Sequence, residues 1–230
     1  MRRAVMPERA PASSNVGSDY LPPVISAEQT VAMPAIRRRW TAADVRELTR
    51  EDRPWPRYEL IDGELLVTPA PRRPHQIAVG ELVRALQPDL ERVPVGVVIF
   101  SPSDLELKPD TVVQPDVFVI PADTSMAREI RGWTDATSLL LAVEVLSPSS
   151  LRTDRIKKRD FYLANGVEEY WIIDLDARVF ERWRASSETP EILAERITWS
   201  PAAGEPLTID VPEWFAGIDR ILESLPARYR

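Results

Sequence analysis

No cysteine occurs in the 230 residues, which excludes disulfides and thiolate metal centres. A single histidine, His75, cannot build a multi-histidine zinc site. Any bound metal must then be held by carboxylates, and an oxygen donor set favours Mg²⁺ with Mn²⁺ as the alternative. No apolar run is long enough to span a bilayer. The first residues carry two arginines but no apolar segment after them, so the sequence predicts no secretory signal and a cytoplasmic protein. An excess of positive charge is missing too. The formal net charge of -7 argues against general adhesion to nucleic acid, though not against a local basic groove.

What is present divides unevenly. Residues 1–39 are rich in Pro, Ala and Ser with no sustained period, and read as a disordered tail; Met33 within it is a candidate start. The arginines at 37–39 read as a solvated arm or as a phosphate contact. Residues 40–230 have the length of one domain with a full core. Thr41 is placed as the N-cap of a short helix through Thr49, with Asp44 at N3 of a capping box. Tyr58–Ile61 and Glu64–Val67 flank Asp62-Gly63, a hairpin signal. After a proline-rich link, His75 opens a helix bearing Ile77, Leu82, Val83 and Leu86, which Pro88 is expected to end. Val95–Phe100 is a strand and Asp104–Leu107 a short one.

Two later stretches share an odd feature. TVVQPDVFVI, Thr111–Ile120, is a strand with one acid, Asp116, among apolar residues. Pro115 cannot donate a ladder hydrogen bond, so a bulge or edge is expected there. LLLAVEV, from Leu139, reads as a strand buried on both faces, again with one acid, Glu144. An ionised carboxylate in such a place is costly unless it is paired, hydrogen-bonded or bound to metal. Ser147–Ser150 end that strand and offer caps for a helix with Asp154, Lys158 and Tyr162 on one face. Gly166 stops that helix. Strands then follow at Glu169–Leu175, Ala177–Arg184 and Ile192–Thr198, and an amphipathic helix at Pro212–Leu225. The order predicts an α/β domain with a mixed sheet flanked by helices.

Two carboxylates from neighbouring strands can hold a divalent cation, and a nearby lysine can position water or neutralise developing charge. Asp116, Glu144 and Lys158 thus supply the residue types for phosphodiester hydrolysis. A buried acid paired with a lysine is equally an ordinary structural ion pair. His75 reads as a base, a ligand or a plain hydrogen-bonding residue, and Glu59 as facing the site or solvent. Arg152, Arg155, Lys157, Lys158 and Arg159 make one helix basic, fit to follow a nucleic-acid backbone or simply to face water. Trp133, Trp171, Trp183 and Trp214 read chiefly as core, with base stacking as the alternative.

YELIDGEL, the proline-rich link with His75, SPSDLELKPDTVVQPDVFVI, and LLLAVEVLSPSSLRTDRIKKRDFYLANGVEEYWIID together resemble the Uma family. This is a bacterial group of restriction-endonuclease-like proteins in the PD-(D/E)XK nuclease superfamily. The resemblance covers about Trp40 to Arg184. It implies a restriction-endonuclease-like core and a Mg²⁺-dependent endonuclease acting on DNA. It makes Asp116 the aspartate of the PD pair and Glu144 the second acid, both binding metal. The superfamily lysine stands two residues after the second acid, where this chain has Leu146. The resemblance moves that role to Lys158, in a D-x-x-x-K-x-x-x-Y phrase with Asp154 and Tyr162, over its neighbour Lys157. Glu59 and His75 match recurring family positions as an outer shell. Fold analogy allows a homodimer. The displaced lysine and acidic balance leave a second expectation, a catalytically weak or inactive nuclease-like interaction module.

Overall fold

The computed structural model describes residues 39–49, 55–122, 138–201 and 206–226. The expected tail short of Arg39, Met33, most of the polar stretch after Pro121, and Trp133 lie outside the described residues. Helix α1 (Ala42–Leu48) starts as its sequence dictates. Thr41 and Asp44 exchange the reciprocal bonds of a capping box, and Ala42 and Val45 turn inward. Strands β1 (Arg57–Ile61) and β2 (Glu64–Thr68) pair antiparallel around Asp62 and Gly63. Both turn residues have positive φ, 51° and 80°, as a primed hairpin turn requires.

Helix α2 (Arg73–Arg92) runs past the expected stop, with Pro88 inside it. A proline there removes one intrahelical bond. Burial of Leu86 and Leu90 on either side of it favours continuing for another turn.

A six-stranded mixed sheet forms the centre, in the order β3-β4-β5-β6-β7-β8. Its members are β3 (Gly96–Phe100), β4 (Val117–Pro121), β5 (Leu141–Val145), β6 (Glu169–Asp174), β7 (Val179–Trp183) and β8 (Glu191–Leu193). Among the described strands only β5 and β6 pair parallel, and they are joined by the helical crossover that carries Lys158. The period of two divides the inner strands cleanly. Val117, Val119, Leu141, Val143, Val145, Trp171 and Ile173 enter one core with α2 and the C-terminal helix. Phe118, Ile120, Ala142, Tyr170 and Ile172 enter the other, with Phe161 and Tyr162. Asp116 and Glu144 have the parity of this second face.

The expected strand Thr111–Ile120 is broken. Val112 and Val113 form isolated bridges to Leu60 and Leu105, and the continuous ladder starts only at Val117. Pro115 has no N–H to give, so the ladder cannot run through it. Asp104–Leu107 is likewise only the bridge at Leu105. The expected strand Ile192–Thr198 is two: β8 joins the central sheet, while β9 (Arg196–Trp199) pairs with β10 (Leu207–Asp210). A single alternating run cannot reveal that its halves join different sheets.

The crossover helix also departs from expectation. Thr153–Lys158 is π-helical and leads into α3 (Arg159–Ala164). At its end, Val167 N–H bonds Tyr162 C=O and Gly166 N–H bonds Leu163 C=O, a Schellman closure with Gly166 at φ 79°. Asp210 caps the last helix, α4 (Val211–Ser224), through Glu213 N–H. Among the described residues no helix is long and apolar enough to cross a membrane.

Candidate active site

Asp116 stands just before β4, one register step beyond the pair Val117–Val143, and therefore beside Glu144 of β5. Its carboxylate is gripped from three directions. Arg57 Nη1 donates to Oδ1 at 2.9 Å, and Val145 N–H donates to Oδ2 at 3.0 Å. His75 Nε2, from the first turn of α2, lies 3.0 Å from Oδ2. Burial by itself raises the pKa of Asp116, but His75, Arg57 and the Val145 N–H outweigh it and hold the group below the usual carboxylate range.

Glu144 has a different company. Lys158 Nζ donates to its Oε1 at 3.0 Å and Tyr162 Oη does so at 3.2 Å. Lys158 also lies 2.9 Å from Glu59 Oε2 and 3.8 Å from Asp154 Oδ1. Glu59 uses its other oxygen to accept from Gln114 N–H. Burial, helped by the charges of Asp116, Asp154 and Glu59, drives the pKa of Glu144 well up despite Lys158. Burial also raises Asp154, to about 6, against the pull of Lys158. Desolvation opposes the charge on Lys158, but Glu144, Glu59 and Asp154 more than offset it and raise its pKa. The lysine stays an ammonium ion.

The structure thus brings together Asp116, Glu144, Lys158, Glu59, His75, Asp154 and Tyr162. Lys157, by contrast, points outward to an exposed ion pair with Glu64. The π turn puts Asp154 and Lys158 against one another and against Glu144; π-helical turns inside helices are frequent at functional sites. The basic face expected on this helix is largely consumed. Arg155 binds Glu181 and Asp174, and Arg159 binds its neighbour Asp160. Trp171, Trp183 and Trp214 are core residues.

One site residue escaped the sequence reading: Arg57, 7% exposed, with its guanidinium 4.4 Å from the Trp55 ring centroid. The available signal was alternation. Arg57 and Glu59 are i and i+2 on β1, so one face of this strand delivers a cation to Asp116 and an acid to Lys158. These groups line a cavity of about 310 Å³, with Trp55 and Arg72 at its edge and Ser147–Ser150 on the other wall.

The donor set suits a hard divalent cation. Four buried carboxylates (Glu59, Asp116, Glu144, Asp154) face one lysine and one arginine. Asp154 Oδ1 is buried without a hydrogen-bond partner among the described residues. Glu144 and Asp154 are raised in pKa chiefly by burial, with the neighbouring acids adding to it, and a bound cation would favour their ionised forms. No three His, Asp or Glu side chains among the described residues already form a cage. Mg²⁺ does not require one, since it keeps several waters and is commonly bound through one or two carboxylates.

A mixed sheet with two acids facing each other at the end of adjacent strands, and a lysine folded back onto one of them, defines a nuclease-like α/β protein. The chain belongs to the Uma2 family, described as "Putative restriction endonuclease", which matches residues 42–212. Among solved structures it is similar to "a putative nuclease belonging to DUF820" from Anabaena variabilis ATCC 29413. That likeness has a TM-score of 0.59 and 22% identity, covering 71% of this chain and 92% of the other, and it supports the fold. No curated protein matches the chain.

Proposed function

We propose that the protein is a metal-dependent endonuclease that hydrolyses DNA phosphodiester bonds, with Asp116 and Glu144 holding Mg²⁺ or Mn²⁺ and Lys158 beside them. The observation that carries this reading is the placement of Asp116, just before β4, beside Glu144 of β5, with buried Lys158 bonded to Glu144 on the wall of a cavity. A cation bound there would activate water and stabilise charge on the phosphoryl group. Asp116 is kept ionised by Arg57, His75 and the Val145 amide, and so is ready to ligate at neutral pH. Lys158 is held as a cation, which suits it to neutralise charge developing on the phosphate and not to act as a general base. Glu59 and Asp154 fix its position. Tyr162 orients Glu144 from the other side.

The test is cleavage of covalently closed circular DNA, in duplex and single-stranded form, by purified protein with Mg²⁺ or Mn²⁺. Conversion of circles to linear product, lost in both Glu144→Ala and Lys158→Ala, is the expected result. Cleavage that survives in the folded Glu144→Ala protein would refute the assignment.

A second reading has its own support. Both acids already receive donors from the protein itself: three on Asp116, two on Glu144. A nuclease-like interaction module without turnover would have such self-sufficient acids. Calorimetric titration with Mn²⁺ separates the readings. Binding lost in Asp116→Ala and Glu144→Ala favours the enzyme, and no binding by the native protein favours the module.

A further inference from the structure

The cavity at the acids is not a closed pocket. A second cavity of about 170 Å³ shares Thr68, Ser149, Ser150, Asp154 and Lys158 with the first, and runs between β2 and the π turn. A third, of about 360 Å³, adjoins the second at Thr153 and is walled by Arg152, Ile156 and Lys157. Adjoining through these shared residues, the three make a row of openings, a trough, with Asp154 and Lys158 common to the first two. Its ends carry matching chemistry. Exposed Arg72 and half-buried Trp55 stand at one end, exposed Arg152 and Lys157 at the other. Among the described residues, Lys157 has an exposed pair with Glu64 to give up. Val67 and Ile156, 55% and 45% exposed, add apolar surface beside the central and far parts.

A groove with cations at intervals and an aromatic platform is the chemistry that binds one polynucleotide strand. The candidate reacting groups are almost fully covered: Glu144 is 3% exposed and Lys158 5%. A rigid duplex presents its phosphates on a wide cylinder and cannot bend them individually toward covered groups. A single strand can, as in other enzymes whose sites duplex DNA cannot enter.

We propose that this trough is a track for single-stranded DNA, entering past Trp55 and Arg72, crossing the acids, and leaving past Arg152 and Lys157. This rests on the nuclease reading for its consequence but is tested without turnover. Fluorescence anisotropy of a labelled oligothymidylate in EDTA, alone and annealed to oligoadenylate, reads binding only. The full-length protein is expected to bind the single strand at least about tenfold more tightly than the duplex. Arg152→Glu with Lys157→Glu should weaken strand binding about tenfold and reduce the salt dependence by about 0.7 logarithmic slope units per lost phosphate contact. Trp55→Ala should weaken it about tenfold with the salt dependence unchanged. Arg220→Glu, the same charge reversal on α4, is the control and should have no comparable effect. Equal or tighter binding of the duplex would overturn the track, as would Arg152 and Lys157 reversals no stronger than the control in proteins with unaltered unfolding temperature. Strand binding with circles left intact would keep the track and remove the nuclease. Cleavage of duplex circles with no preference for the single strand would do the reverse.

Discussion

Two basic residues one turn apart on the crossover helix, Arg155 and Lys158, each collect acids, and the two clusters come out differently. Arg155 is partly exposed and holds Glu181 and Asp174 with its fork. Although burial opposes it, Asp174 is lowered in pKa by the Ala177 and Asp176 amides and by Arg155. That cluster is electrostatically complete. Lys158 is buried and faces Glu59, Glu144 and Asp154, of which Glu144 and Asp154 are raised. Burial makes most of the difference: Asp174 is partly exposed, whereas Glu144 and Asp154 are buried, and the neighbouring acids add to their rise. Under the proposed function, the second cluster is the one that would take a cation.

The largest expected effect breaks the second cluster's chemistry. Lys158→Ala and Glu144→Ala should each lower DNA cleavage by about 10²–10³-fold or more, as loss of a charge-stabilising group does, whereas Arg155→Ala should leave turnover within a few-fold if the protein stays folded. Steady-state cleavage assays read both.

Stability sharpens the comparison next. Lys158→Met strands three buried carboxylates and should cost about 3–5 kcal/mol in denaturant unfolding. Arg155→Met, at a more exposed and partly screened site, should cost about 1 kcal/mol.

The pH dependence should then have opposite sign in the two clusters. Asp154 rises from an ordinary 3.8 to about 6 on folding, so the folded state binds its proton more tightly and this group's contribution to stability falls as pH rises from 4 to 6. In EDTA, Asp154→Asn should flatten that slope and stabilise the protein at pH 7 relative to pH 4. Asp174 is lowered on folding, so its contribution is full above the unfolded value and is lost as pH falls through the folded one. Asp174→Asn should therefore destabilise at neutral pH and leave acid stability unchanged. Chemical denaturation across pH 3–8 measures both; matching slopes in the two variants would dissolve the distinction.

The smallest effect concerns the boundary of the folded unit. We propose that residues 40–230 form the one domain. A chain beginning at Arg39 should then unfold within about 1 °C of the full-length protein, which differential scanning calorimetry would check.

Much of this was legible from local pattern. Asp62-Gly63 gives the hairpin and Thr41 with Asp44 the capping box, because those signals act within four residues. Asp116 and Glu144 stood out because a lone acid in an apolar strand breaks the pattern of its neighbours. Pro88 misled because its local cost is outweighed by contacts with residues distant in sequence. Ile192–Thr198 misled because strand assignment depends on partners, and Leu193 and Ile197 find theirs in different sheets. Arg57 was passed over because a charged residue at the start of a strand ordinarily faces water; its burial depends on Asp116, 59 positions further on.

The sequence alone determined the chemical alphabet of the protein. Without cysteine and with one histidine, it offers carboxylates and a lysine, and the two isolated acids mark the proposed site. The tertiary structure decided which of them meet. Register sets Asp116 beside Glu144, the parallel crossover returns Lys158 onto Glu144, and the π turn aims Lys158 inward while Lys157 faces out. It also decided the state of each acid, since a carboxylate's pKa depends on its burial and the charges around it, and both come from parts of the chain that are far apart in sequence.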